Sequence, residues 1–369
     1  MFARIWGLVI KEFLSLLRDR KSRFVLIGPP LIQLLVFGYA ASFDLNHLPY
    51  AVYNEDPGFA SRDLLGRFQG SRNFEQVATL THSREIAPLI DDRKALLVIH
   101  IGPHFTRDLL LHRPAPVQVI IDGRNSNTAS VALNYVNGIL LAFDGDWAAQ
   151  ADWGNPPAQL VVCAWFNPNL LSRWFIVPGI IALLMLVVTL LVTGLSVARE
   201  REQGTFDQLL VTPMTPAEIL VGKALPGLII GGLEGGVISL VATLWFQVPF
   251  SGSVLALGIG MILYLLAAVG VGLMISSLAV TQQQGLLGVF LFLVPAIILS
   301  GFATPIANMP QPVQYLTLVD PVRYFLVILR GVFLEGDGIA TLWPQYWPLA
   351  LIAAFSMTAA AWLFRHRMA

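Results

Sequence analysis

Arg199-Glu200-Arg201-Glu202-Gln203-Gly204-Thr205-Phe206-Asp207-Gln208-Leu209-Leu210-Val211-Thr212-Pro213-Met214-Thr215-Pro216-Ala217-Glu218 is a polar island between two long apolar stretches, and its reading decides the fold. Thr205-x-x-Gln208 and Thr215-Pro216-x-Glu218 both have the form of a capping box, in which a hydroxyl and a carboxyl or amide three residues on satisfy each other's backbone N–H. Pro216 falls at the first helical position, where its missing N–H costs nothing. One short helix is therefore predicted to start at Thr205 and stop before Pro213. A second should start at Thr215 and run on into the next apolar stretch. A short helix joined stiffly to two membrane spans is a lever, because whatever grips Phe206, Leu209, Leu210 and Val211 tilts both spans. The competing reading is an ordinary interfacial loop with its apolar residues in lipid.

Working outward, the chain on both sides reads as membrane. Of 369 residues, 56% are hydrophobic and 12% charged, against roughly 25% charged in a soluble domain. A membrane-crossing helix needs about 20 apolar residues. Six segments qualify: Phe24 to Phe43, Trp174 to Ala198, Ala224 to Phe246, Val254 to Val280, Gly285 to Thr304 and Tyr346 to Phe364. The first carries Pro29-Pro30 and Gln33, so it should be kinked or begin late. Pro295 reads as a kink in the fifth. Arg4, Lys11, Arg18, Arg20, Lys21 and Arg23 precede the first span against Glu12 and Asp19, and the tail is Arg365-His366-Arg367. Short loops rich in Lys and Arg stay in the cytoplasm, so both termini are expected inside. Six spans satisfy that, and Trp174, Trp245, Trp343 and Trp347 then fall near the outer interface. Ala40-Ala41-Ser42 offers a cleavage site, but the apolar stretch before it exceeds the 7–15 residues of a signal core, so it is read as a retained span.

Residues 1–23 are predicted to form an amphipathic helix, with Phe2, Ile5, Trp6, Val9, Phe13, Leu16 and Leu17 at helical spacing. A basic helix of this kind beside a span lies in the membrane interface; the plainer alternative is a positively charged anchor. Residues 44–173 are the one large polar region. Strands are predicted at Tyr50–Tyr53, Lys94–Ile101 and Val117–Asp122, with a weaker one at Glu75–Leu80. Helices are predicted at Ala60–Gln69, Ser83–Asp91, Pro103–Leu111 and Asn125–Ala149. The alternation implies a small α/β domain, extracytoplasmic by the topology above. Its ten Lys and Arg do not contradict this, because long domains translocate regardless of charge. Asp122-Gly123-Arg124-Asn125-Ser126-Asn127 opens a helix after a strand. It is either an anion-holding turn or, more simply, a turn with an Asn or Ser cap.

Several classes of chemistry are excluded. Lys+Arg and Asp+Glu both total 23, so no charge excess argues for a nucleic-acid partner. Cys163 is the one cysteine, and the six histidines have no metal-ligand spacing. No GxxxxGK[ST] phosphate loop and no GxSxG nucleophile elbow occur. No catalytic, metal or cofactor residue is expected.

Glu234 is the one acidic residue inside a span. A charge there is costly unless paired, hydrated or protonated. Its neighbours Gly227, Gly231, Gly232, Gly235 and Gly236 include spacings of four that permit close helix packing. Two readings stand: Glu234, Gly231 and Gly235 mark the translocation path or a permease–permease seam, or Glu234 is a protonated carboxyl bonded to a neighbouring helix. Asp320-Pro321 reads as a cap with a first-turn proline. Arg323 and Arg330 then share a helix face at the outer rim, meeting anionic headgroups or cargo, or pairing with Glu335, Asp337 or the external domain. Gln282–Gln284 reads as a polar cytoplasmic turn.

The run Ala198 to Pro213 followed by Gly222-Lys223 resembles the signature of ABC-2 type exporter permeases. Within them the chain is similar to the bacterial inner-membrane permeases of multidrug efflux. Asp122–Asn127, Ile275-Ser-Ser-Leu278, Thr281-Gln-Gln-Gln284, Ser300-Gly-Phe-x-x-Pro305, Asn308-Met-Pro310 and Asp320-Pro-Val-Arg-Tyr324 also fit, in order around six spans. Asp320 stands where Asn is more usual. The resemblance implies a multi-pass inner-membrane protein with six transmembrane helices, and short helices over 305–340 that dip into the outer leaflet. It implies that 205–211 is the coupling helix, with Glu202, Gly204, Thr205, Phe206, Asp207, Leu209, Leu210 and Pro213 docking on a separate cytoplasmic ABC ATPase that binds ATP and Mg. Two permease chains, identical or related, would pair with two ATPase chains, with lipid and a periplasmic adaptor as further partners. The function implied is export of hydrophobic or amphipathic compounds. Two other classes remain: a proton-coupled secondary transporter using Glu234, and a membrane-anchored sensor.

Overall fold

A computed structural model describes residues 2–18, 20–40, 47–124, 126–150, 166, 171–206, 208 and 211–368. The chain forms two compact units, one of 1–42 with 164–369 and one of 43–163.

The smaller unit is an α/β sandwich. Its strands are β1 (Leu48–Asn54), β2 (Phe74–Leu80), β3 (Leu97–Ile101) and β4 (Val117–Ile121), in the spatial order β2-β1-β3-β4. β1 pairs parallel with β2 and with β3, and β4 closes the far edge antiparallel. Parallel neighbours need crossovers, which α3 (Phe59–Gly70) and α4 (Ile86–Asp91) supply. The period-2 pattern of β1 and β3 divides the core between the two faces. Tyr50, Val52, Leu97, Ile99 and Ile101 join Phe68, Phe105, Val136 and Phe143 on one face, while Ala51 and Val98 join Leu80 and Ala95 on the other. The first face is covered by α3, α5 (Phe105–Leu110) and α6 (Ser126–Gln150). Every strand and helix expected in this region is present within a few residues.

The larger unit is helical. It comprises α1 (Phe2–Arg18), α2 (Arg20–Ala40), α7 (Ser172–Gly194), α8 (Ser196–Glu202), α9 (Pro216–Leu244), α10 (Val254–Leu278), α11 (Gln282–Leu299), α12 (Gln311–Leu316), α13 (Pro321–Arg330) and α14 (Ile339–Met368). Among the described residues five helical stretches are long and apolar enough to cross a membrane: Ser172–Glu202, α9, α10, α11 and Ile339–His366. α2 contributes a shorter apolar run, Gly28–Phe37. It is one continuous helix through Pro29 and Pro30, and the helix expected over 1–23 ends at Arg18, because Arg20, Lys21 and Arg23 belong to α2.

α7 is apolar all round and buried nearly throughout, the pattern of a helix at the centre of a bundle. α9 lies against it through a glycine face. A methyl group on Gly227 would strike Thr193, one on Gly231 would strike Thr189, and one on Gly235 would strike Met185. Each step of four along α9 matches a step of four back along α7, so the helices run antiparallel in close register. Tyr264 on α10 stacks on Phe325 of α13 at 4.3 Å and donates to the Ala182 carbonyl of α7 at 2.8 Å. Asp320 caps α13 by accepting from the Val322 N–H at 3.0 Å, with Pro321 in the first turn. The predicted short helices over 305–340 are present: two 3₁₀ turns, α12, α13 and a π turn at Gly331–Glu335.

Candidate functional site

The site is the connector between α8 and α9. Its far end has the predicted construction. Thr215 Oγ1 accepts from the Glu218 N–H at 3.3 Å, and Glu218 Oε2 accepts from the Thr215 N–H at 2.8 Å. Pro216 opens α9. At the near end α8 stops where Gly204 adopts φ +68°, a left-handed conformation that an L side chain resists. The Thr205 N–H and Oγ1 both donate to the Glu200 carbonyl, at 3.0 and 3.3 Å. Phe206 and Gln208 are helical; Asp207, Leu209 and Leu210 lie outside the described residues.

The base of the connector is bolted to the bundle. Phe206 is buried, edge-on to Phe364 of α14, with the Arg201 guanidinium 5.1 Å from its ring centre. Arg201 Nη1 also donates to the Ser277 and Ala279 carbonyls at the end of α10, at 2.8 and 3.2 Å. Glu202 Oε2 accepts from the Gln282 N–H at 2.7 Å, which ties α8 to the first residue of α11. Ser276 Oγ accepts from the Val197 and Ala198 N–H groups. Arg4 of α1 donates to the Pro213 carbonyl at 2.6 Å. The tip faces outward, with Gln208 exposed and Val211 87% exposed.

Sequence reasoning missed two parts of this site. Gln282–Gln284 is the first turn of α11 rather than a free turn: Thr281 Oγ1 accepts from the Gln284 N–H at 3.3 Å and Gln284 Oε1 from the Val280 N–H at 2.9 Å. Thr281-x-x-Gln284 has the capping-box form that identified Thr215 and Glu218, and would have shown it. Second, Lys223 is completely buried beside Glu12 and Glu200. A lysine within an apolar helix was the available signal.

Elsewhere the candidates separate. Gly231 and Gly235 are packed inside the chain against α7 and α10, with Leu265 Cδ2 and Met261 Cε each 2.6 Å from where their Cβ would be. Neither oxygen of Glu234 has a hydrogen-bond partner among the described residues. Among the described residues Arg323 and Arg330 form no ion pair within 4.0 Å with Glu335 or Asp337, although the Glu335 charge still acts on Arg330. Arg323 donates to Thr317 Oγ1, and the Arg330 guanidinium lies 4.1 Å from the ring centre of Phe175. In the α/β unit Arg124 is committed to Asp122, with Nε at 2.9 Å and Nη2 at 2.7 Å. These bonds hold the Asp122 carboxyl down at about 2 and favour the plain turn over an anion site.

Long apolar helices, one of them packed by a glycine face on a buried central helix, define the class: a membrane protein with several spanning helices. The chain matches the ABC-2 family transporter protein model over residues 20–362, and it belongs to that family. Among its relatives, the probable multidrug ABC transporter permease YbhR of Escherichia coli (strain K12) is 42% identical over 368 residues, covering 100% of both chains. The probable multidrug ABC transporter permease YbhS of the same strain is 33% identical, covering 90% of this chain and 89% of its own. The inner membrane transport permease YhhJ, also of that strain, is 30% identical, covering 98% and 96%. The protein is thus a permease subunit of an ABC exporter rather than an enzyme, and the ATPase is a separate subunit.

Proposed function

We propose that the chain exports hydrophobic or amphipathic compounds, drug-like or lipid-like, across the bacterial inner membrane, driven by a cytoplasmic ATPase that grips the connector. The observation that carries this is the contrast within the connector: a base tied to α1, α10, α11 and α14, and a tip left exposed. A load on the tip is passed to several helices at once. Glu202, Thr205 and Phe206 transmit the load, Gly204 and Pro213 bound the segment, and Asp207, Leu209 and Leu210 meet the ATPase. The relatives named as probable multidrug permeases point to the cargo class.

In this reading α2 is the sixth span and both termini are cytoplasmic, following the Lys and Arg bias. α1 lies in the interface, where its exposed stripe of Trp6, Ile10, Leu14 and Leu17 meets lipid while Leu8, Val9 and Leu16 pack inward. The α/β unit is extracytoplasmic and receives cargo or a periplasmic adaptor. A second copy or a related permease completes the pathway, and Glu234 offers it a polar point. Arg323 and Arg330 stand at the outer rim. Leu209→Asp or Leu210→Asp is expected to abolish co-purification of the ATPase while leaving the permease folded. A variant that still co-purifies with an active ATPase removes the docking role.

A further inference from the structure

The side chain of Lys223 on α9 has no solvent exposure, although it carries an ammonium. Its Nζ lies 3.0 Å from Glu12 Oε1 on α1 and 2.6 Å from Glu200 Oε2 on α8, and donates to Ser196 Oγ at 3.2 Å. Ser196 Oγ in turn reaches Glu12 Oε2 at 3.4 Å, and Lys11 pairs with Glu200 Oε1. Glu12 and Glu200 are themselves 9% and 6% exposed. Two lysines and two glutamates therefore balance at the point where three helices meet. Leu8 of α1 seats on Gly222, the residue before Lys223, where an added Cβ would collide with it.

Such a junction behaves differently from apolar packing. Apolar side chains exchange one neighbour for another at small cost, whereas separating one member of a buried ion cluster leaves an uncompensated charge. The three helices therefore hold together or part together. Glu200 also belongs to the connector, since its carbonyl accepts both hydrogen bonds from Thr205.

We infer that Lys223, with Glu12 and Glu200, is a positioning cluster that locks α1, the base of the connector and α9 into one rigid body, so that a displaced connector carries α1 and α9 with it. The inference rests on the reading of the connector as the ATPase dock. It assigns Lys223 to energy coupling rather than to cargo.

The test is a distance measured by pulsed electron spin resonance in the permease–ATPase complex. Cys163→Ser removes the one native thiol, and spin labels are placed at the exposed positions Ser15 on α1 and Val211 on the connector tip. The Ser15–Val211 distance is expected to be the same without nucleotide and with ATP plus vanadate. With Lys223→Met added it should broaden or shift between the two states. A triple variant, Lys223→Met with Glu12→Gln and Glu200→Gln, leaves no buried charge to unfold the chain and should behave likewise. A wild-type distance that moves with nucleotide while the ATPase stays bound overturns the lock alone, as does an unchanged distance in both variants. A wild-type chain that purifies without ATPase sinks the connector reading and the lock with it.

Discussion

Single residues set how closely the helices approach. Gly231 sits where α9 touches α7 and α10, and any side chain there meets Thr189 and Leu265. Overpacking a tight contact costs about 1–3 kcal/mol. Gly231→Val is therefore expected to lower the thermal unfolding midpoint of the purified protein clearly. Gly236→Ala, at a position with open space around it, should leave the midpoint unchanged. The glycine spacing was legible in the sequence, but its partner was not: small residues every four positions fit a seam to a second chain as well as a seam to α7.

His100 makes a second prediction at this scale. Its ring nitrogens lie 2.9 Å from Glu55 Oε2 and 3.0 Å from Gln118 Oε1, and the ring stacks on Tyr53. Burial opposes the imidazolium, but the bonds to Gln118 and Glu55 outweigh it and raise the pKa above the ordinary value. The Glu55 carboxyl is lowered, first by His100 and then by Tyr53. A raised histidine pKa stabilises fully below its unfolded value and is lost as pH rises through the folded one; the lowered Glu55 pKa acts oppositely on the acid side. Amide-exchange protection of β3, corrected for intrinsic rate, is expected to fall as pH rises above the ordinary histidine value. His100→Gln should flatten that slope.

Among whole elements, legibility followed the strength of the local signal. β1 and β3 were found because the sheet has both faces covered, which demands nearly continuous apolar runs. α9 was found to its first residue because Thr215, Pro216 and Glu218 each specify a helix start. The ends of α1 and α2 were misjudged: the basic residues at 20–23 were assigned to the first helix by composition, while the chain uses them to open the next. The proline pair at 29–30 left α2 one helix. Bundle neighbours can re-satisfy what a proline removes, and composition alone does not reveal that. Hydrogen bonds across helices, such as Glu202 to Gln282 and Arg201 to Ser277, had no sequence signal, since they join positions about 80 residues apart.

At the scale of the whole molecule, the membrane bundle belongs to this chain and the ATPase to another. The family assignment supports that division. The buried cluster around Lys223 shows what composition hides: a chain with as many acids as bases can still spend four of them in one place. The most direct test of the account is the accessibility of the connector tip. In a Cys163→Ser background, Val211→Cys is treated with a membrane-impermeant thiol reagent. Labelling is expected in inside-out vesicles stripped of ATPase, with strong protection when the ATPase is retained and none in intact spheroplasts. Labelling of Val211→Cys in intact spheroplasts, or labelling indifferent to the bound ATPase, would contradict it.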